Sequence, residues 1–315
     1  MKKRILTGSM ILLAVALFIS TRLVTTYAFD LFIGLIAVIG CVEVSRVLER
    51  KRMFTNVLFV GAIPVVFYVA MLLGIYTEKD WYFYLIYFLA IIVIFFLVNF
   101  LSSLIFKGAT QREKDKFGVF ESNVKYAYKK GMNTSFIIIY PAIFFIALFM
   151  INHFFEFSFV NVGDFKGGTT LVVFFLIFIF AVTMLTDTFA LVWGMLLGGP
   201  KLCPKISPKK TISGAIGGLI FGALGGLLVY YLFISNTVFK EAIKVFDFEA
   251  WKFLIIATIT SITGQIGDLV ASALKRSARV KDYGTLFPGH GGVMDRVDGL
   301  IVNSVVVLIS MFILI

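Results

Sequence analysis

Charge is scarce in this chain. Only 15% of its 315 residues are Asp, Glu, Lys or Arg, whereas 60% are hydrophobic and the mean hydropathy is +0.98. A soluble domain of this length does not need so much apolar surface, so the composition predicts that the lipid bilayer is the solvent. Cysteine is rarer still. Cys41 and Cys203 lie in different contexts, which excludes a disulfide framework and a zinc site.

The chain also lacks the G-x-x-x-x-G-K-[ST] run of a P-loop, which excludes that mode of nucleotide binding. Its net charge of +11 is spread over short loops between apolar runs. That distribution favours membrane topology and attraction to anionic headgroups or phosphates, and it argues against nucleic acid as the partner. The loops are too short to hold a separate soluble domain.

What the chain does have is a series of apolar segments, and a helix needs about 20 apolar residues to cross a bilayer. The segments predict an all-α, polytopic integral membrane protein with about nine transmembrane helices: 5–21, 28–46, 54–75, 81–106, 134–158, 168–197, 212–235, 251–273 and 297–315. The first follows Met-Lys-Lys-Arg and resembles a signal peptide, but we interpret it as a span because no clear cleavage site follows it. The seventh is rich in glycine, which predicts close packing between helices.

The basic residues predict the orientation of these helices. Most of the 29 Lys and Arg residues fall at the N-terminus and in loops 46–53, 107–133, 198–211 and 274–296. These positions alternate with poorly basic loops along all nine segments. Because basic loops stay in the cytoplasm, the pattern predicts a cytoplasmic N-terminus, an external C-terminus and a multi-pass protein of the cell membrane.

Four aspartates lie inside or beside the predicted spans, where charge is costly and usually functional. Asp187 lies well inside the sixth segment among threonines, and Asp268 lies in the cytoplasmic half of the eighth. Asp295 and Asp298 are three residues apart, so a helix that begins near Val293 places both on one face of its first turn.

Asp268, Asp295 and Asp298 are therefore expected at one cytoplasmic depth on consecutive elements. Like charges at low dielectric repel one another, and a divalent cation is the usual remedy. Ligands that are all oxygen favour Mg²⁺ or Mn²⁺ over zinc. The alternative is that each aspartate only caps a helix or pairs with a nearby Lys or Arg.

Two basic loops and a glycine-rich run flank these carboxylates. The polar candidates are Lys275, Arg276, Lys281 and Arg296 in one loop, and Ser207, Lys209, Lys210 and Thr211 in the other. Gly291 and Gly292 leave room for the backbone to approach a ligand, and their N–H groups are candidates to cradle phosphate, with an ordinary turn as the alternative. His290 is a candidate general base or phosphate contact, unless it only bonds within its loop. Together these groups indicate polyphosphate chemistry.

Residues 272–298, SALKRSARVKDYGTLFPGHGGVMDRVD, resemble the signature of the phosphatidate cytidylyltransferases, also called CDP-diacylglycerol synthases. The signature runs Ser-x-x-Lys-Arg, Lys-Asp-x-Gly, Pro-Gly-His-Gly-Gly and Asp-Arg-x-Asp, and every fixed position is filled. SPKKT at 207–211, the preceding Asp187 and GDL at 267–269 also fit. The chain departs from the family at Ile212 and Ser213, where an aromatic and an acidic or amide residue are frequent, and at Ala271, where an acidic residue is frequent.

The resemblance implies transfer of a cytidylyl group from CTP to phosphatidate, which yields CDP-diacylglycerol and pyrophosphate in phospholipid biosynthesis. It also implies a homodimer, and a Mg²⁺ site, with K⁺ beside it, at Asp268, Asp295 and Asp298. Lys275, Arg276, Lys281, Lys209 and Lys210 are then expected to contact phosphate, in an active site on the cytoplasmic side. We accordingly divide the chain into N-terminal helices with a basic loop, residues 1–133, and a catalytic transmembrane region, residues 134–315.

Other functions compete with this one. A CTP-dependent polyprenol kinase is the nearest alternative, and it would release CDP instead of pyrophosphate. The CDP-alcohol phosphotransferases are disfavoured because their D-G-x-x-A-R pattern is absent. A cation transporter would also bury carboxylates, but it has no need for the basic, glycine-rich run at 272–298.

Overall fold

The computed structural model describes residues 13, 15–17, 19–22, 25–105, 123–160, 162–287 and 291–315, without the side chains of residues 103 and 123–125. Most of these residues are helical. The long elements are α1 (Thr26–Arg50), α2 (Val57–Tyr76), α3 (Trp81–Ile105), α4 (Asn123–Ile137), α5 (Ile143–Asn152), α6 (Gly168–Leu196), α7 (Ile212–Phe233), α8 (Thr237–Phe246), α9 (Ala250–Ser277) and α10 (Met294–Leu314). A π-helical turn, Ile138–Ala142, joins α4 to α5, and the 3-10 helix Phe154–Glu156 follows α5.

Eight helical segments of the described chain are long and apolar enough to cross a membrane. They coincide with eight of the nine predicted spans, with α4 and α5 joined in one segment, Tyr126–Asn152. The prediction of an all-α, polytopic membrane protein is thereby confirmed. The predicted first span, 5–21, lies largely outside the described residues, as does most of loop 107–133. The predicted division after residue 133 falls inside α4.

A small antiparallel sheet replaces the predicted loop 198–211. Strand β1 (Lys201–Cys203) pairs with β2 (Ser207–Thr211), and β2 runs directly into α7. The sequence indicated only a basic segment between two spans, because a three-residue strand has no periodic signal of its own. The hairpin lies at the end of the bundle where α9 ends, since Arg276 Nε donates to the carbonyl oxygen of Ile206 at 3.3 Å.

Glycines in α7 allow it to pack closely on α6. A Cβ atom added at Gly214 would lie 2.5 Å from the carbonyl oxygen of Ala190, and one at Gly218 would lie 2.7 Å from that of Thr186. Larger residues at these two positions would push the helices apart. The close packing predicted for the glycine-rich segment is confirmed, and small residues give it its van der Waals contact in the absence of a hydrophobic driving force.

A buried polar layer connects α6, α9 and α10 within the bundle. Asn303 Nδ2 donates to Thr183 Oγ1 at 2.8 Å, and Thr263 Oγ1 donates to Asn303 Oδ1 at 3.0 Å. One turn away, the hydroxyl groups of Thr186 and Ser261 are 2.8 Å apart. Each side chain bonds within the protein because lipid offers no partner. The layer therefore fixes the relative positions of the helices that carry the aspartates.

A second polar network lies at the opposite end of the bundle. The carboxylate of Asp30 accepts hydrogen bonds from Tyr68, Asn152 and His153, each at 2.7 Å, and His153 Nδ1 lies 2.6 Å from Glu156 Oε2. His153 is fully buried within the protein. Burial alone would lower the pKa of His153, but its bonds to the two carboxylates outweigh burial and raise the pKa to about 9.

This network predicts a pH-dependent stability. Because the folded-state pKa of His153 is raised, its contribution is complete below about pH 6.5 and is lost as the pH rises through about 9. We expect His153→Gln to destabilise the protein at pH 6 by about 3 kcal/mol, and by much less at pH 10. Thermal unfolding in detergent at both pH values measures the difference. The exposed Asp164→Asn variant serves as the control, and an equal His153→Gln penalty at both pH values would contradict the prediction.

Candidate active site

Charged side chains from four elements meet at the end of the bundle that carries the β-hairpin. Asp187 comes from α6, Lys210 from β2, Asp268 from α9 and Asp298 from α10. The approach of α9 to α10 is close because Gly267 has no side chain: a Cβ there would lie 2.8 Å from Val302 and 3.3 Å from the carbonyl oxygen of Asp298. This contact brings the adjacent Asp268 towards Asp298.

We call Asp187, Asp268 and Asp298 the carboxylate cluster. Asp298 is buried, and the charges of Asp268 and Asp187 act on it. Asp298 Oδ1 accepts the backbone N–H of Gly299 at 2.9 Å. Asp187 is exposed, although it lies well inside α6, and the charges of Asp268, Lys210 and Arg296 act on it. The sequence suggested a group of Asp268, Asp295 and Asp298, whereas the electrostatic interactions here join Asp268 and Asp298 with Asp187.

Lys210 neutralises part of the cluster. Its ammonium group forms an ion pair with Asp268 Oδ2, and both side chains are about one-third exposed. Asp268 Oδ1 lies 3.4 Å from the hydroxyl of Ser272, at the limit of a hydrogen bond. Lys210 forms the ion pair with the cluster, and the charges of Lys275 and Arg296 also act on Asp298 and Asp187 respectively.

Asp295 has a different environment from Asp298. Its Oδ1 accepts from Lys275 Nζ at 2.6 Å, and its Oδ2 accepts the backbone N–H groups of Tyr283 at 2.7 Å and Gly292 at 2.9 Å. Both oxygens therefore have protein donors. In this geometry Asp295 closes the α9–α10 loop, residues 278–293, onto the first turn of α10.

Lys275 lies at the centre of this arrangement. Its ammonium group is largely buried, bonds Asp295 and lies 5.0 Å from the centre of the Tyr283 ring. The Tyr283 hydroxyl donates to the carbonyl oxygen of Ala271 at 3.1 Å, and burial raises the pKa of Tyr283 far above its ordinary value. Tyr283 is therefore a neutral donor. Ala271 is fully buried beneath it, and its carbonyl oxygen anchors the ring.

Glu43 belongs to the same site, although the sequence pattern did not place it there. The carboxylate accepts the backbone N–H of Val293 at 3.1 Å and that of Met294 at 2.8 Å. Its side chain is buried, with 4% exposure. In the sequence, Arg46 follows three residues after Glu43 and is the obvious local partner for its charge. A charge inside a predicted span was the available signal, but no local pattern points to a partner 250 residues away.

The backbone N–H groups of the glycine run donate to protein acceptors, whereas the sequence made them candidates to bind phosphate. The N–H of Gly291 donates to the carbonyl oxygen of Phe287 at 3.1 Å, and the next three N–H groups donate to Asp295 or Glu43. These groups therefore have protein acceptors, and the expected phosphate cradle is not formed by them. Gly291 has φ +86, a left-handed conformation that favours glycine. His290 lies outside the described residues.

Some polar side chains in and beside the hairpin make structural hydrogen bonds, and others are exposed. Thr211 accepts the backbone N–H of Gly214 at 3.1 Å and so caps α7, which gives it a structural role that the substrate-binding prediction did not include. Ser213 donates to the carbonyl oxygen of Gly198 and closes the turn before β1. Ser207 is half-buried opposite Cys203, and Lys209 is exposed.

Several exposed cations at this end of the bundle have no carboxylate partner among the described residues. Arg276 is exposed and donates to two backbone carbonyl oxygens, those of Ile206 at 3.3 Å and Val280 at 3.1 Å. Among the described residues, Lys209, Lys281 and Arg296 are exposed and form no ion pair within 4.0 Å. These groups are available to bind an anion.

The carboxylate cluster offers the donor type that hard divalent cations prefer, but its side chains are not gathered as metal ligands. In the described part of the chain, no three His, Cys, Asp or Glu side chains already stand close enough to hold a metal ion. Asp187, Asp268 and Asp298 nevertheless provide oxygen ligands only, and their mutual repulsion is opposed by the ion pair with Lys210 and by the charges of Lys275 and Arg296. Oxygen ligands and uncompensated negative charge are what Mg²⁺ sites require.

Known proteins resemble this chain over part or most of its length. A model of the cytidylyltransferase family matches residues 2–314. A phosphatidate cytidylyltransferase of Brucella abortus is 46% identical over 139 residues, which cover 44% of this chain and 46% of the relative. A protein of the same name from Staphylococcus saprophyticus is 44% identical over 124 residues, 39% of this chain and 44% of the relative.

A third protein of that name, from Rickettsia bellii, is 40% identical over 128 residues, which cover 40% of this chain and 52% of the relative. The chain therefore spans about half the length of the curated relatives that it matches. The family model, in contrast, extends along nearly the whole sequence. This chain belongs to the cytidylyltransferase family.

Proposed function

We propose that the protein is a phosphatidate cytidylyltransferase, which converts CTP and phosphatidate into CDP-diacylglycerol and pyrophosphate. The observation that carries the proposal is a carboxylate cluster surrounded by exposed cations at one end of an apolar helix bundle. Family membership supports nucleotidyl transfer from CTP, and the names of the relatives support phosphatidate as the acceptor.

The reaction joins two polyanions, so neutralisation and alignment are its main demands. A phosphate oxygen of phosphatidate attacks the α-phosphorus of CTP, and the bond from that phosphorus to the bridging oxygen breaks as pyrophosphate leaves. A phosphomonoester has a second pKa near 6, so it is already largely anionic at neutral pH. No strong general base is required. Positioning and electrostatic stabilisation supply most of the rate.

The chain's own cations have distinct parts in this proposal. Lys209, Lys281 and Arg296 are exposed, so they bind the phosphates of CTP and phosphatidate. Arg276 keeps the hairpin against the end of α9 and offers its remaining donors to the same phosphates. Lys210 faces Asp268 and shifts towards phosphate when substrate arrives. Lys275 and Asp295 keep the α9–α10 loop closed.

Asp268 and Asp298, with Asp187 nearby, are the residues that would hold Mg²⁺, with K⁺ as a second cation of the site. When bound, the divalent ion would neutralise the phosphate oxygens on which charge develops. Asp295 remains a predicted ligand, but its three bonds to Lys275, Tyr283 and Gly292 favour the loop-closing role.

We further propose that the site faces the cytoplasm of a cell membrane and that the enzyme is a homodimer. The cytoplasmic side follows from the basic loops, which include those that carry the site. CTP then arrives from the cytoplasm, while phosphatidate enters sideways from the lipid leaflet at headgroup depth.

The first prediction concerns the products. We expect the purified protein to release pyrophosphate from CTP only when both phosphatidate and Mg²⁺ are present, with an equal amount of CDP-diacylglycerol formed. A coupled pyrophosphate assay and lipid chromatography measure the two products. Release of CDP with a polyprenol acceptor would instead identify the kinase alternative and overturn the proposed function.

A second prediction separates function from stability at Asp298. We expect Asp298→Asn to lower kcat by about 100-fold or more, because it removes a buried charge from the cluster that faces the reacting phosphates. It should not lower the thermal unfolding midpoint, because it relieves repulsion from Asp268 and Asp187. The exposed Asp164→Asn variant serves as a matched control with unchanged activity. Near-normal activity of Asp298→Asn would refute the assignment.

A further inference from the structure

We propose that Glu43 is a positioning residue of the active site, and that the N-terminal half of the chain therefore takes part in catalysis through α1. The inference rests on the proposed function for its kinetic test. Its structural basis is a buried carboxylate of α1 that bonds the first turn of α10 and the loop before it.

The bonds of Glu43 satisfy donors that a helix cannot satisfy itself. The first N–H groups of an α-helix have no acceptor inside the helix. In α10, those of Val293 and Met294 donate to the two oxygens of Glu43, at 3.1 and 2.8 Å. The negative charge also lies at the positive end of the helix dipole, where it is stabilising.

The contact surface of Glu43 extends to two glycines of the α9–α10 loop. A Cβ added at Gly284 or at Gly292 would overlap the Glu43 carboxylate. The two described parts of this loop, residues 278–287 and 291–293, therefore both contact the Glu43 side chain. Glu43 thus packs against the loop and also accepts hydrogen bonds from Val293 and Met294.

The position of Asp295 follows from that of Glu43. Val293, Met294 and Asp295 are consecutive, so fixing the first two N–H groups fixes the backbone from which Asp295 projects. Asp295 in turn accepts from Lys275 and from the N–H groups of Tyr283 and Gly292. Asp298 lies one turn further along the same helix. Glu43 thus acts on the reacting groups through α10 and does not touch them.

An apolar residue would not serve at this position. It would leave two buried N–H groups without acceptors at the edge of the site, where a helix N-terminus attracts phosphate. The other charges that act on Glu43 are those of Asp295 and Arg46. A carboxylate here occupies the anion site of α10 and keeps substrate phosphates away from it.

Hydrogen–deuterium exchange of the full-length protein tests the positioning without relying on activity. In Glu43→Gln, loss of a direct bond should accelerate exchange in peptides that contain Val293 and Met294. The proposal requires exchange at Tyr283 to accelerate as well, because that N–H depends on the placement of Asp295. Glu241→Gln, an exposed change on α8, should leave both regions unchanged. Acceleration confined to Val293 and Met294 would show a local cap and overturn the proposal.

The kinetic test uses pyrophosphate release by the same variants. We expect Glu43→Gln to lower kcat by about 10- to 100-fold with the KM for CTP within about threefold, as for loss of a supporting carboxylate. Glu43→Asp keeps the charge but is one methylene shorter, so its kcat should lie between those of wild type and Glu43→Gln. If Glu43→Gln does not fold, Glu43→Asp replaces it in both experiments. A wild-type kcat in Glu43→Gln overturns the proposal. If the wild-type protein releases no pyrophosphate, the proposed function is refuted. The Glu43 proposal is then still tested, because hydrogen–deuterium exchange does not depend on activity.

Discussion

The start of α10 is the point on which the rest of the site depends. In an apolar environment the free N–H groups of a helix end need acceptors, and here the protein supplies two carboxylates for them. Glu43 of α1 takes the donors of Val293 and Met294, while Asp295 takes that of Gly292 and reaches back to Tyr283. The loop, the helix and the N-terminal half of the chain are joined in this one set of bonds.

The distribution of charge around that point is consistent with the two polyanionic substrates of the proposed function. Lys275 is matched to Asp295 and Lys210 to Asp268, so each of these lysines already has a carboxylate. Asp187 and Asp298 add negative charge within the bundle, whereas the cations of Lys281 and the other exposed groups lie outside it. Inner negative charge suits a metal ion, and outer positive charge suits phosphate.

Much of this arrangement could be predicted from the sequence, and the limits have physical causes. Apolar length predicted the spans, and costly charge inside them pointed to Asp187, Asp268 and Asp298. The partner of Glu43 could not be predicted, because a bond across 250 residues depends on how helices pack. Asp295 and Asp298 share a helix turn, yet tertiary contacts separate their roles. The short strands of the hairpin carry too few residues for a pattern.

The two ends of the bundle show why only one of them is suited to catalysis. At the far end, Asp30 has three protein donors and Glu156 bonds His153, so the carboxylates there are matched within the protein. At the other end, Asp298 accepts one backbone N–H beside two further carboxylates. Buried charge is stable only when it is compensated. Under the proposed function, a bound cation would compensate the carboxylates of this end, and phosphate groups would in turn compensate that cation.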